Sequence, residues 1–105
     1  MVARVTLAEI DAVRMSVPRA VTLFEESVLP ELEEQIGYEG CYVLATPEGK
    51  ALVLTFWSDE EAAEAGIASG LYGAQVEKFV TVLRSPPGRE RYDVVVADPP
   101  RITVG

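Results

Sequence analysis

Four strands and two helical regions in the order β-α-β-β-α-β are predicted by three features of the 105-residue chain. Two stretches with helical periodicity alternate with runs rich in β-branched and aromatic residues. The link between the second and third runs is a short turn containing Pro and Gly, and no stretch has the composition of a domain linker. Four antiparallel strands carrying two helices on one face satisfy that order, which makes the fold α+β and ferredoxin-like. At this length a single domain over residues 1–105, with one core, is expected.

The first strand is read from "VARVTLAEI", residues 2–10, which alternates in part and is rich in β-branched residues. Ser16 offers an N-cap and Pro18 suits the first helical turn, where its missing N–H costs no bond. Val17, Val21, Phe24, Val28, Leu32 and Ile36 then recur at three- and four-residue steps and form the buried stripe of a helix that Gly37 stops. Pro30 lies inside this helix, so a kink that crowds the Glu26 carbonyl is expected. "CYVLAT", residues 41–46, and "ALVLTFW", residues 51–57, flank "PEGK" as an antiparallel hairpin. Ser58 with Glu61 three residues on is read as a capping box that starts the second helical region. That region is broken by Gly66, Ser69, Gly70 and Gly73 before Tyr72, Val76, Phe79, Val80 and Leu83 resume a helical stripe. "SPPG" ends it, and "RYDVVVA", residues 91–97, is the last strand.

Composition removes several classes of function. With no His and a single cysteine, Cys41, the chain lacks the usual ligands of zinc, copper or a His-ligated haem, so neither a metal nor a cofactor is expected. The same absence removes the commonest general base and every Ser-His or Cys-His nucleophile pair. Cys41 opens a strand among apolar residues and reads as a small buried hydrophobe. A net charge of -8 repels phosphate backbones and anionic lipid, so neither nucleic acid nor membrane is an expected partner. Seven Glu and no Lys or Arg lie between Ala20 and Gly49, read as a solvated helix face. No apolar run approaches the ~20 residues of a membrane span, and the N-terminus has charges where a signal peptide would be apolar, which points to the cytoplasm.

In "ALVLTFW" one side carries Leu52, Leu54 and Phe56 and the other Val53, Thr55 and Trp57, while both sides of "RYDVVVA" hold Val or Ala. Apolar residues on both faces imply that both are covered, and two helices cover only one. The simplest second cover is another copy of the same sheet, which predicts a homodimer. Such an interface would bury on the order of 1,600 Å². The tail after Pro99 and Pro100 contains "ITV", residues 102–104, whose β-type composition suits addition to the partner's sheet edge.

"FEESVLPELEEQIGYEGCYVL" and "LVLTFWSDEEAAEA" resemble the dimeric α/β-barrel superfamily, in particular its antibiotic-biosynthesis-monooxygenase-like domains. The first segment is similar to that group's helix with a Leu-Pro step and a Gly-aromatic-x-Gly strand entry. The second is similar to its strand ending in an aromatic and Trp before an Ala-rich helix. The likeness extends over most of residues 2–98 and implies two facing sheets in a dimer. It also implies a pocket between helices and sheet in each subunit, where members of the group bind flat aromatic or polyketide-like molecules and some oxidise them without a cofactor. Trp57 matches a Trp that contributes to such pockets. The chain has no Asn and no His, so the resemblance carries over neither the Asn that positions oxygen or substrate nor a haem-ligating His.

The candidate ligand-binding residues are therefore Trp57, Tyr72, Arg4 and Phe56, and no catalytic residue is assigned. Trp57 serves either as a stacking wall beside a helix N-terminus or as a core aromatic. Tyr72, among glycines, either donates from its hydroxyl to a substrate oxygen or packs between helices. Arg4 is expected at an exposed sheet edge; facing inward, it would need Glu9, Asp93 or an anionic ligand. Two functions follow: a cofactor-independent monooxygenase-like enzyme acting on a planar hydrophobic substrate, or a non-catalytic dimeric ligand-binding or accessory module. A roomy pocket with polar side chains near Trp57 favours the first, and a pocket filled by Phe24, Phe56 and Phe79 favours the second.

Overall fold

The computed structural model describes residues 1–68 and 88–100. Its elements are β1 (Val2–Glu9), α1 (Val17–Leu23), a π-helical turn (Phe24–Val28), α2 (Leu29–Glu33), β2 (Tyr38–Ala45), β3 (Lys50–Trp57), α3 (Glu60–Ala68) and β4 (Gly88–Asp93). The strands form one antiparallel sheet in the order β2-β3-β1-β4, so β1 and β3 are central and β2 and β4 are the edges. This is the ferredoxin-like α+β arrangement that the order of elements predicts. The second helical stripe, including Tyr72 and Phe79, and the tail segment 102–104 lie outside the described residues.

Helix α1 starts where its cap predicts: Ser16 is extended, and its Oγ accepts the Arg19 N–H at 3.3 Å. Pro30 does not simply kink the helix. The turn before it widens into a π-helix, in which the Leu29 N–H reaches back to the Phe24 carbonyl. The wider turn absorbs the missing Pro N–H while keeping Val28 and Leu32 fully buried on the stripe. Helical structure ends at Glu33, so Ile36 falls off the stripe and is 93% exposed, contrary to its expected packing role.

Three boundaries shift for identifiable reasons. Strand β2 starts at Tyr38 instead of residue 41, because Gly40 takes φ +144 and lets the strand hold one extra residue, Glu39, as a bulge against β3. Helix α3 is capped by Asp59, whose carboxylate accepts the Ala62 N–H at 2.8 Å, and not by the expected Ser58. Strand β4 runs from Gly88 to Asp93, where 91–97 was expected. It ends because its partner does: Asp93 pairs with Val2, the first residue of β1, and the Val94 N–H makes a last bond to the Met1 carbonyl. Val95 and Val96, expected in the sheet, are 87% and 83% exposed.

The core lies between the helices and one face of the sheet, where Val2, Phe24, Val28, Leu32, Trp57 and Ala63 pack together. At the opposite end the hairpin closes through Gly49, whose φ of +104 is open to glycine at little cost. A Cβ there would also run into the carbonyl oxygen of Ile10, whose N–H donates to the Gly49 carbonyl at 2.7 Å. Gly49→Ala is therefore expected to destabilise the fold by about 2 to 3 kcal/mol, read as a lowered urea midpoint at unchanged slope.

Candidate ligand site on the helix face

Strand alternation sorts the candidate residues between two faces. In register, Val2 lies opposite Trp57 and Arg4 opposite Thr55, while on the other side of β1 Arg4 lies opposite Arg91 and Val2 opposite Asp93. Directly opposed residues share a face, so Trp57, Thr55, Arg4 and Arg91 all look toward the helices. Phe56 alternates to the other face, where its ring meets Tyr42 edge-on at a centroid distance of 6.0 Å. The structure thus brings Trp57 and Arg4 together and separates Phe56 from them.

Trp57 is 3% exposed. Its Nε1 donates to Thr55 Oγ1 at 3.0 Å, which satisfies both a buried indole N–H and a threonine held on the core face. Tyr38 meets the indole edge-on at 5.7 Å. Above it passes α3: a Cβ at Gly66 would stand 3.0 Å from Trp57 Cη2, so glycine at this point lets the helix lie directly on the ring.

Arg4 corrects the expectation of an exposed edge. Strand β1 is central and its position 4 faces the helices, leaving the Arg4 side chain 12% exposed, with Nη2 donating to Glu64 Oε1 of α3 at 2.6 Å. Glu64 of α3 thus stands where Glu9 or Asp93 was expected. Asp93 instead lies 3.4 Å from Arg91 Nη1, and Arg91 Nε reaches Glu60 of α3 at 3.5 Å. Two arginines on neighbouring strands are each tied to a glutamate one helical turn from the other. Reading along the chain misses Glu60, Glu64 and Arg91 as a group, although the i,i+4 spacing of the two glutamates is its visible trace.

Cys41 and Tyr38 sit on the same face beside Thr55 and Trp57. Burial pushes the Cys41 thiol up to about 11, against the lowering effect of its hydrogen bond to Tyr38. Burial also pushes the Tyr38 phenol up, with the Cys41 and Glu33 charges adding to the effect, to about 12. Neither group ionises near neutral pH, so Cys41 should be a poor nucleophile there. Alkylation of Cys41 by iodoacetamide is expected to be slow at pH 8 and to accelerate only toward pH 11, while a rate at pH 8 equal to that of a free thiol would contradict this placement. The same shift has a stability sign. The folded state holds the thiol proton more tightly than the unfolded state, so this contribution is present below about pH 9 and is lost as pH rises through about 11.

No protein-family model matches the chain, and no curated protein matches it. Solved structures do. A Nitrosomonas europaea protein of unknown function superposes with a TM-score of 0.75 at 22% identity, over 94% of this chain and 93% of that one. ActVA-Orf6, a monooxygenase from Streptomyces coelicolor solved with the ligand nanaomycin D, gives 0.71 at 20% identity over 94% and 91%. SnoaB, a cofactor-independent oxygenase from Streptomyces nogalater, gives 0.72 at 11% identity over 94% and 97%. The chain shares the ferredoxin-like α+β fold of these structures. Within this fold its helix-facing sheet surface carries the Trp57, Thr55, Arg4 and Arg91 set, and its other surface carries Phe56. The heme-degrader MhuD from Mycobacterium tuberculosis shares the fold as well, with a TM-score of 0.72 at 20% identity over 94% and 100%.

Proposed function

We propose that the chain is a homodimeric, cytoplasmic small-molecule-binding protein that accommodates a planar hydrophobic molecule between α3 and the helix face of its sheet. The observation that carries this reading is the convergence beneath α3 of an indole held by Thr55 and two arginines on neighbouring strands. Where α3 lifts from the sheet, the indole face that Gly66 covers suits a flat ring, and guanidinium groups suit its polar substituents. ActVA-Orf6, solved with nanaomycin D, and the cofactor-independent oxygenase SnoaB support a monooxygenase-like reaction on such a molecule, in which the substrate itself reduces oxygen and no cofactor is required. The haem of MhuD does not fit this site: the chain has no His, and the Cys41 thiol and Tyr38 phenol remain protonated far above neutral pH.

Oxygen uptake with a quinol substrate in air tests the oxygenase reading. Wild type should consume oxygen faster than the Trp57→Phe variant, and equal inertness of the two would eliminate it. The 3% exposure of Trp57 favours a second reading, a non-catalytic ligand-binding module. That reading expects a shift of the Trp57 indole resonance on ligand addition without any oxygen uptake.

The dimer rests on the other face. Leu7, Tyr42, Leu44 and Tyr92 are 41%, 41%, 53% and 52% exposed there, and Leu54 and Phe56 lie half-buried among them. An apolar patch of this kind on one chain is matched most simply by the same patch on another, packed sheet to sheet.

A further inference from the structure

The arginine pair is expensive where it stands. Arg4 and Arg91 are directly opposed in the β1–β4 register, an arrangement that is destabilising for like charges. The Arg4 side chain is 12% exposed and cannot turn to bulk water. The carboxylates that compensate the pair are of the opposite character. Glu64, Glu60 and Asp93 have side chains 59%, 60% and 72% exposed, so each can swing into solvent at little cost. Arg4 is therefore a fixed cation with an exchangeable anion, while Arg91, 39% exposed, borders it from the next strand. Moreover, Glu60 and Glu64 both belong to α3, the helix whose Gly66 lies on the Trp57 ring, so the same ion pairs that neutralise the arginines hold α3 over the indole.

We propose that the ligand of this site is a planar aromatic acid whose carboxylate takes the place of Glu64 on Arg4, with Arg91 alongside, so that binding and release of α3 from the sheet are one event. This rests on the small-molecule reading above and adds the charge of the ligand. A carboxylate delivered by the ligand makes a charge-assisted and potentially bidentate contact with a desolvated guanidinium, stronger than one with a solvated partner. Its aromatic part then falls on the side of Thr55 and Trp57, the next positions along the same face. Glu64 acts as an internal stand-in that keeps the arginine neutralised when the site holds no acid.

The chain has one tryptophan, so its single indole Nε1–H resonance reports on the site without assignment. The test is titration of ¹⁵N-labelled wild type and Glu64→Gln at pH 7 with 2-naphthoate and with its neutral isostere 2-naphthamide, following that resonance. Glu64 is exposed, so its substitution leaves the core intact. The expected result is that naphthoate binds wild type at least tenfold more tightly than naphthamide. Glu64→Gln should tighten naphthoate several-fold further, because the internal competitor is gone, and tighten naphthamide by less, because only the hold on α3 is loosened. Equal affinities for acid and amide would overturn the acid inference while leaving the small-molecule reading standing. Tighter binding of the acid with no response to Glu64→Gln would overturn the exchange on Arg4. If neither compound shifted the resonance in either protein, the acid inference and the planar-ligand reading would fail together. Arg91→Gln supplies an independent arm, expected to weaken naphthoate and not naphthamide, and equal weakening of both would count against the proposal.

Discussion

Replacing Trp57 with Ala is expected to destabilise the fold by about 4 kcal/mol, the middle of the range for emptying a large aromatic from a core. The indole is 3% exposed and is in the core cluster with Val2, Phe24, Val28, Leu32 and Ala63. Two further losses add to the cavity. Its edge-on contact with Tyr38 disappears, and the buried hydroxyl of Thr55 loses the N–H it accepts. Against the 5 to 15 kcal/mol by which domains are generally stable, such a loss leaves a marginal fold. Trp57→Phe should cost less, about 2 kcal/mol, because a ring still fills most of the space. Urea unfolding followed by circular dichroism, which does not depend on the indole, reads both; a Trp57→Ala midpoint close to wild type would show that the indole is not in the core.

Replacing Leu54 with Glu is expected to abolish the dimer while sparing the monomer's fold. Leu54 is at the centre of the outer face, opposite Val5 on one side and Tyr42 on the other, and no described helix covers it. In a single chain the new carboxylate stays in contact with water. In a symmetric sheet-to-sheet dimer two such carboxylates are buried without partners, at about 3 kcal/mol or more each. The dissociation constant should then rise at least a thousandfold. Sedimentation across a concentration series measures it, and an unchanged constant would show that the outer face is not the interface.

The fold was legible because its signals are local. The Ser16 cap, the Gly-containing hairpin turn and the alternation of "ALVLTFW" each specify geometry from a few neighbouring residues, and each holds in the structure. The misreadings share a different cause. "RYDVVVA" reads as a strand throughout by composition, yet among the described residues Val94–Ala97 has no strand to pair with once β1 is exhausted at Val2, and pairing length depends on a partner some ninety residues away. Ile36 fits a helical stripe only while the helix continues, and the π-helical turn before Pro30 and the early end at Glu33 remove it. The candidate site was half legible for the same reason. Trp57 announces itself as the single tryptophan. Arg4 becomes informative only when the strand order makes β1 central and sets Arg91 and Glu64 beside it, across sequence separations that no local pattern spans.

In the function proposed above the sheet is used on both faces, the inner one for the Trp57 and Arg4 site and the outer one for a second copy of the chain. The most direct measurement is the mass of the native particle by light scattering at micromolar concentration. A homodimer has twice the 11.4 kDa of one chain, whereas a stable 11.4 kDa particle with its outer face in water would rule the sheet-to-sheet dimer out.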